Sequence, residues 1–148
     1  MRSHDARALV RPERPTVKLN HLDLQVADAQ RSVHLFEQLL GFQLDSSRTS
    51  PALAVLSDGA GFTLVLQRRQ NDADAYPDGF HFGFFLDDVE AVRRFHAHAR
   101  ESGLVEVSGV IENGRGVLVY LRSWDGLLIE VSWQRPRHHR GDQESAKR

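Results

Sequence analysis

The sequence predicts an α+β fold built from two modules, at residues 17–69 and 80–134, each with the element order βαβββ. Each module opens with alternating apolar and polar residues, as expected for a half-buried strand. A segment with helical periodicity follows each opening strand, and turn signals then separate three further strands. With 148 residues, 41% of them hydrophobic, the chain is long enough for one domain with its own core.

The first module begins with a strand over 17–26, whose apolar residues share one face while His21, Asp23 and Gln25 share the other. Asp28 is placed to cap a helix that runs to about residue 40, where a glycine ends it. Three strands are predicted next, at 42–48, 52–57 and 62–69, before a polar loop at 70–79.

The second module repeats this order. Its first strand covers 80–86, with His81 and Phe85 on the face opposite the other phenylalanines. Asp88 is placed to cap a helix over 89–102, which again ends at a glycine. Three strands are predicted at 104–111, 117–122 and 127–133, separated by the turn signals Asn-Gly and Asp-Gly.

The two modules align residue by residue. His21 and His81 each precede a helix-capping aspartate by seven residues, so they hold equivalent positions in the two first strands. In the last strands, Glu130 follows a glycine by four residues, and Val65 does the same. Val65 is therefore the predicted counterpart of Glu130.

His21, His81 and Glu130 point to a metal site. A single histidine in a strand is more often an ordinary hydrogen-bonded residue, but all three side chains have apolar strand neighbours that belong to the core. Each polar side chain must then point to the opposite face of its sheet. Two imidazoles and a carboxylate that converge in a cavity are costly unless they share a cation. Two histidines with one carboxylate suit Fe(II) and related divalent ions.

Composition excludes several other functions. The chain has no cysteine, which removes disulfides, thiolate metal sites and cysteine nucleophiles. A net charge of -1 offers no electrostatic basis for binding nucleic acid or a membrane surface. Neither a transmembrane run nor a signal peptide is evident, so a cytoplasmic location is expected. The polar, charged ends at 1–16 and 135–148 are expected to be flexible.

Three strings, NHLDLQVAD at 20–28, FHFGFFLDD at 80–88 and YLRSWDGLLIEV at 120–131, resemble the vicinal oxygen chelate superfamily. This superfamily includes glyoxalase I, extradiol dioxygenases, methylmalonyl-CoA epimerase, fosfomycin resistance proteins and bleomycin-binding proteins. The resemblance implies that the modules pair into a curved mixed sheet around a metal-binding cavity, and that the protein is a homodimer.

By the same resemblance, His21, His81 and Glu130 would bind one divalent metal ion, with Fe(II) favoured over Mn(II), Zn(II) or Ni(II). Glyoxalase I is similar but has a further glutamate at the position of Val65, and this difference counts against glyoxalase chemistry. Gln67, two residues on, is a candidate fourth ligand, because the epimerase uses a glutamine in this region.

Tyr120 matches the catalytic tyrosine that extradiol dioxygenases carry ten residues before the glutamate, so an oxidoreductase of this type is the favoured function. Its substrate would be a small molecule. Candidate substrate or supporting contacts are Asp23, Gln25, Gln67, Phe85, Arg122 and Leu128.

Three alternatives stay open. One is a lyase or isomerase of the glyoxalase or epimerase type. The second is a fosfomycin-type thiol transferase, for which Arg122 alone does not supply the basic cluster that would bind a phosphonate. The third is a drug-binding resistance protein without catalysis.

Overall fold

The computed structural model describes residues 13–137. The terminal segments predicted to be flexible, 1–16 and 135–148, fall largely outside this range. Within it, residues 13–20 and 135–137 hold no helix or strand, and every element between them belongs to one of the two predicted modules.

The first module contains β1 (His21–Val26), α1 (Ala29–Leu40), β2 (Gln43–Leu44), a short 3-10 helix (Ser46–Arg48), β3 (Leu53–Ser57) and β4 (Thr63–Arg68). The second contains β5 (His81–Phe85), α2 (Val89–Ser102), β6 (Glu106–Val107), β7 (Ile111–Asn113), β8 (Gly116–Arg122) and β9 (Leu128–Gln134).

The strand predicted at 104–111 is divided into β6 and β7. Both strands pair antiparallel with β8, but their registers differ by one residue: Val107 lies opposite Leu121, and Ile111 lies opposite Leu118. One extra residue in one strand of a pair is a β-bulge, which interrupts the ladder and bends the strand. The second module therefore has one more short strand than predicted.

The strands form two mixed sheets, one per module, in the orders β1-β4-β3-β2 and β5-β9-β8-β6, with β7 also paired to β8. The first strand of each module lies at a sheet edge and runs parallel to the last strand. The α+β class and the two modules are thus confirmed. The described strands of one sheet do not pair with those of the other, so the chain carries two sheets where one curved sheet was expected.

The two modules share one apolar core. Phe36 of α1 stacks on Phe82 of β5 with ring centroids 6.4 Å apart, and Phe42 meets Phe84 edge-on at 5.8 Å. The helices also touch, because His98 Nε2 lies 3.3 Å from the carbonyl oxygen of Gln38. The apolar faces of both modules therefore turn toward one another, which leaves the polar residues of β1 and β5 exposed.

Both helices begin and end as the sequence predicts. The carboxylates of Asp28 and Asp88 accept hydrogen bonds from the backbone N–H groups of Arg31 and Ala91, at 3.0 and 2.7 Å. Each helix ends at a glycine with left-handed backbone angles. Other residues adopt this conformation only with strain. Neither helix is long and apolar enough to cross a membrane.

Gly116 provides a test of the close packing of β8 against β9. A Cβ at Gly116 would lie 2.0 Å from the carbonyl oxygen of Trp133, whereas a Cβ at Gly114 would meet nothing within 4 Å. Gly116→Ala should lower the free energy of unfolding by roughly 1–3 kcal/mol or more, because the backbone of β9 must move. Gly114→Ala is the matched control and should change it by less than about 0.5 kcal/mol. Urea unfolding measures both, and equal stability of the two variants would contradict the packing described.

Candidate metal centre

The register of three strands places His81, Tyr120 and Glu130 on one face of the second sheet. In β5, His81, Gly83 and Phe85 point to this face. Gly83 lies opposite Glu130 of β9, and Glu130 in turn lies opposite Tyr120 of β8. Residues directly opposite on neighbouring strands have adjacent side chains, so the fold itself brings the histidine, the glutamate and the tyrosine together.

Glu130 is the residue around which this face is organised. It is 9% exposed, and it is the only ionisable residue among the buried side chains of the part of the chain that is described. Its Oε2 accepts a hydrogen bond of 3.1 Å from the Tyr120 hydroxyl. One neutral hydrogen bond is a small compensation for a carboxylate that has lost most of its water, so this group favours a nearby cation.

The tautomer of His81 suits a metal ligand. Nδ1 lies 2.8 Å from the carbonyl oxygen of Gly79, which can only accept, so Nδ1 carries the proton. The lone pair of Nε2 then faces Glu130 Oε2 at 3.7 Å. Two electron-pair donors cannot hydrogen-bond to each other. Two ligands of one ion lie roughly 3–3.6 Å apart when each is about 2.1 Å from it, so this pair needs to close by only about 0.1 Å or more to hold one metal ion.

Gly83 allows β5 to lie unusually close to Glu130. A Cβ on Gly83 would lie 3.0 Å from the carbonyl oxygen of Glu130 and 3.3 Å from its Cβ. A larger residue between His81 and Phe85 would therefore press on the strand that carries the carboxylate. The same face of β1 has Asp23 at the equivalent position, so only the second module has a glycine there.

Tyr120 stands beside both candidate ligands. Its ring meets the His81 ring edge-on, with centroids 5.9 Å apart, while its hydroxyl binds Glu130. Burial raises the pKa of the Tyr120 phenol, and the hydrogen bond to Glu130 raises it further. The phenol is therefore protonated at neutral pH and acts as a hydrogen-bond donor in this site.

His21 does not join this group. It lies exposed on β1, and its Nδ1 is 2.7 Å from the side-chain oxygen of Asn20, so its Nε2 also keeps a free lone pair. Among residues 13–137, no three or more His, Asp or Glu side chains form a group that could hold a metal ion. The predicted set of three ligands is thus divided in one chain: His81 and Glu130 meet, and His21 lies elsewhere.

The counterpart of this site in the first module has no carboxylate on its last strand. His21 lies opposite Thr63 and Asp23 opposite Val65, in the same arrangement as His81 with Leu128 and Gly83 with Glu130. Val65 therefore holds the position equivalent to Glu130, as the sequence predicts. Gln67 lies two residues beyond Val65, opposite Gln25, and its Oε1 accepts a hydrogen bond of 3.2 Å from Gln25 Nε2.

The remaining predicted contacts lie around these two faces. Asp23 and Gln25 share the exposed face of β1 with His21, and Gln25 Nε2 also donates to Asp23 at 3.4 Å. On the second sheet, Phe85 is 72% exposed, and Leu128 is half-buried between the strands that carry His81 and Arg122. These residues therefore flank the two histidines on their respective sheets.

Sequence reasoning missed Tyr76. This residue lies in the loop at 70–79, stacks on Phe80 with centroids 4.6 Å apart, and accepts a hydrogen bond of 2.7 Å from the backbone N–H of Gln25. It therefore covers part of the free edge of β1. The available signal was an aromatic residue within an otherwise polar loop, in a chain that has only two tyrosines.

The profile of the Glyoxalase/Bleomycin resistance protein/Dioxygenase superfamily matches residues 18–131. This range spans every strand and helix up to β9. No curated protein matches the chain.

Several solved structures share the fold. A possible glyoxalase from Bacillus cereus has 27% sequence identity and a TM-score of 0.69, with 79% of this chain and 99% of that one covered. A glyoxalase/bleomycin resistance protein/dioxygenase from Nocardioides has 23% identity and a TM-score of 0.66, with coverages of 89% and 91%. A lactoylglutathione lyase from Agrobacterium tumefaciens has 17% identity and a TM-score of 0.66, with coverages of 81% and 96%. At these identities, the Nocardioides and Agrobacterium structures show only that the fold is shared.

The two tyrosines allow a test by pH. Burial is the largest cause that raises the pKa of both Tyr76 and Tyr120 above the ordinary value of 10.0. In metal-free protein, the phenolate absorbance at 295 nm should therefore develop above pH 10, and Tyr120→Phe should remove about half of its amplitude. Because both values are raised in the folded state, their contribution to stability is complete below pH 10 and is lost as the pH rises through the folded pKa values. Ionisation of both phenols by pH 10 would contradict the burial described.

Proposed function

This chain belongs to the Glyoxalase/Bleomycin resistance protein/Dioxygenase superfamily, and we propose that it is a metal-dependent enzyme acting on a small molecule with two neighbouring oxygen atoms. The main support is the pair formed by Glu130, a nearly buried carboxylate, and His81, whose Nε2 lone pair faces it at 3.7 Å. The donor set favours a divalent ion with nitrogen and oxygen ligands, and we favour Fe(II) over Mn(II), Zn(II) and Ni(II).

The third ligand is proposed to be His21 of a second copy of the chain. One chain has two separate half-sites: His81, Glu130 and Tyr120 on one sheet, and His21 on the other. In a two-fold symmetric dimer, contact between the first sheet of one copy and the second sheet of the other occurs twice. Each dimer would then hold two equivalent sites, each with two histidines and one glutamate.

Exposed apolar side chains beside both half-sites support this dimer. Val17 and Leu19, just before His21, are 86% and 78% exposed. Phe85, on the same face as His81, is 72% exposed. Apolar side chains that gather around a polar site, in place of scattering singly over the surface, are typical of an interface. β1 and β5 are also the edge strands of their sheets, so each half-site lies beside a strand edge.

His81 and Glu130, with His21 of the second copy, would hold the metal. A bound divalent ion supplies Lewis acidity toward two neighbouring substrate oxygens. Gly83 lets β5 lie close to the backbone of Glu130, which keeps His81 and the carboxylate on one face of the sheet. Tyr120, kept protonated by its raised pKa, can donate a hydrogen bond to a substrate oxygen in place of Glu130 and thereby hold a proton at that atom.

Within this class we favour extradiol-type cleavage of a catechol. The phenol of Tyr120 stands next to both candidate ligands, 3.1 Å from Glu130 and edge-on to His81. This is where a donor to a catechol oxygen is needed. Leu128, directly opposite His81, and Phe85, four residues further along β5 on the same face, offer apolar contacts for an aromatic ring.

A lyase or isomerase of the glyoxalase type is the second candidate. The Bacillus cereus protein, 27% identical over 79% of this chain, is described as a possible glyoxalase, which favours it. Val65, at the position equivalent to Glu130, offers no fourth carboxylate, which disfavours it. A drug-binding protein without catalysis would have no need for the pairing of His81 with Glu130.

Complementation between two variants tests the shared site. His21→Ala and His81→Ala should each lose stoichiometric metal as homodimers, because each lacks one ligand in both sites. A heterodimer of the two, isolated with two different affinity tags, should recover one ion per dimer, since one of its two sites has a complete set of ligands. Metal content is measured by atomic emission after loading with Fe(II) or Zn(II) in the absence of oxygen.

The control is His34→Ala, which removes an exposed histidine of α1 and should keep the wild-type metal content. Metal-free heterodimers alongside a metal-bound wild type would rule out the exchange of His21 between copies. Stoichiometric metal in the His81→Ala homodimer would rule out the ligand assignment itself.

The reaction is tested with Fe(II)-loaded protein and a panel of catechols, followed by absorbance and by O₂ uptake. Tyr120→Phe should lower kcat by about 100-fold while metal content stays unchanged, because it removes the proton donor and no ligand. The same protein is also tested with the hemithioacetal that glutathione forms with methylglyoxal. If this compound is consumed and no catechol gives a ring-cleavage product, the lyase candidate replaces the dioxygenase.

A further inference from the structure

We propose that the cavity formed by Arg31, Arg122 and Trp124 binds an oxyanion, a carboxylate or a phosphonate, carried by the far end of the substrate. This inference rests on the proposed function, because it assigns the other end of the same molecule. The cavity measures about 420 Å³ and lies where the start of α1 meets the turn between β8 and β9. Arg122, in the second module, was predicted from sequence as a substrate contact. Arg31, in the first module, was not.

Arg31 and Trp124 form a flat cationic surface in this cavity. The Arg31 guanidinium carbon lies 4.2 Å from the centre of the Trp124 ring, a cation–π contact. A guanidinium that stacks through its face keeps its N–H groups directed outward, where a planar oxyanion can bind in a bidentate manner. Among residues 13–137, neither Arg31 nor Arg122 forms an ion pair.

The turn that carries Trp124 is held firmly. Ser123 is 6% exposed, its hydroxyl accepts a hydrogen bond of 2.9 Å from the Leu127 N–H, and it donates a short hydrogen bond to Asp125. The other oxygen of Asp125 accepts a bond of 3.0 Å from the N–H of Ala27, just before α1. These bonds join the two modules at the cavity, so the surface exists before any ligand binds.

The cavity lies in line with the candidate metal centre. Arg122 is opposite Leu128 in β9, and Leu128 is opposite His81 in β5, so the three residues form one row across the sheet. Two strand spacings separate His81 from Arg122, or about 10 Å between Cα atoms. A substrate that reaches from His81 to Arg122 passes over Leu128, which offers an apolar surface between the two polar ends.

The charges in the cavity favour an anion. Two guanidinium groups line it together with one carboxylate, Glu106, which lies opposite Arg122 in β6 but outside ion-pair distance. The N–H groups at the start of α1 are already bound by the carboxylates of Asp28 and Asp125, so the attraction for an anion comes from the two guanidinium groups. The substrate class is therefore a small acid with two neighbouring oxygens at one end, an apolar middle and an oxyanion at the other end.

Binding to the cavity can be measured without metal. In a Trp133→Phe background Trp124 is the only tryptophan, and its fluorescence reports ligands at the Arg31 surface. Phenylacetate and benzylphosphonate should bind saturably, whereas the neutral phenylacetamide should bind at least tenfold more weakly. Arg122→Gln and Arg31→Gln should each raise Kd for the anions about tenfold, the loss expected for a charge-assisted hydrogen bond.

The matched control is Arg135→Gln. Arg135 also lies over a tryptophan in the native chain, Trp133 at 5.9 Å, but it pairs with Glu112 away from the cavity. Its loss should leave Kd unchanged. Equal affinity for phenylacetate and phenylacetamide, or unchanged Kd in both cavity variants, would overturn the proposal. The stronger of the two anions identifies the oxyanion as carboxylate or phosphonate, and either result supports it.

A second measurement separates this proposal from the function on which it rests. Metal-loaded protein is titrated with catechol and with 3,4-dihydroxyphenylacetate, which adds a carboxylate. If metal strengthens the binding of both and Arg122→Gln weakens only the second, both proposals stand. If metal affects neither while phenylacetate still depends on Arg122, the metal-dependent function fails and the anion cavity remains.

Discussion

The burial of one carboxylate shapes the second module. Glu130 lies in a strand whose neighbouring side chains are apolar, and it is 9% exposed. An isolated buried carboxylate is unfavourable unless its oxygens find partners. Tyr120 supplies one hydrogen bond, Gly83 avoids a clash with the strand, and Gly79 fixes the His81 tautomer so that a lone pair faces the carboxylate. Together these features support the proposal that a cation binds between His81 and Glu130.

Alternation within a strand correctly placed His81, Tyr120 and Glu130 on one face of the second sheet. Side chains of a strand alternate between two faces, and the first and last strands of a module run parallel as neighbours. The contact between His81 and Glu130 depends also on the parallel pairing of β5 with β9, which the sequence alone did not specify. The equivalence of Val65 and Glu130 follows from the same reasoning, and the strand registers agree with it. The capping aspartates and the two left-handed glycines of the helices were also readable from sequence.

The arrangement of one module relative to the other was not readable in this way. Periodicity assigns His21 to the polar face of its own sheet, but it holds no information on where that face points relative to His81. The contacts that decide it are between phenylalanines of both modules, such as Phe36 with Phe82 and Phe42 with Phe84. Tyr76 and the stacking of Arg31 on Trp124 escaped prediction for the same reason, because both depend on contacts between modules.

The exposed position of His21 has a consequence for how the protein would respond to dilution. If the third ligand comes from a second copy, metal binding and association are thermodynamically linked: each lowers the dissociation constant of the other by the same factor. Metal would then act as a bridging ligand that holds the two copies together. Occupancy would fall as the protein is diluted, and a chelator would release monomers as well as ions.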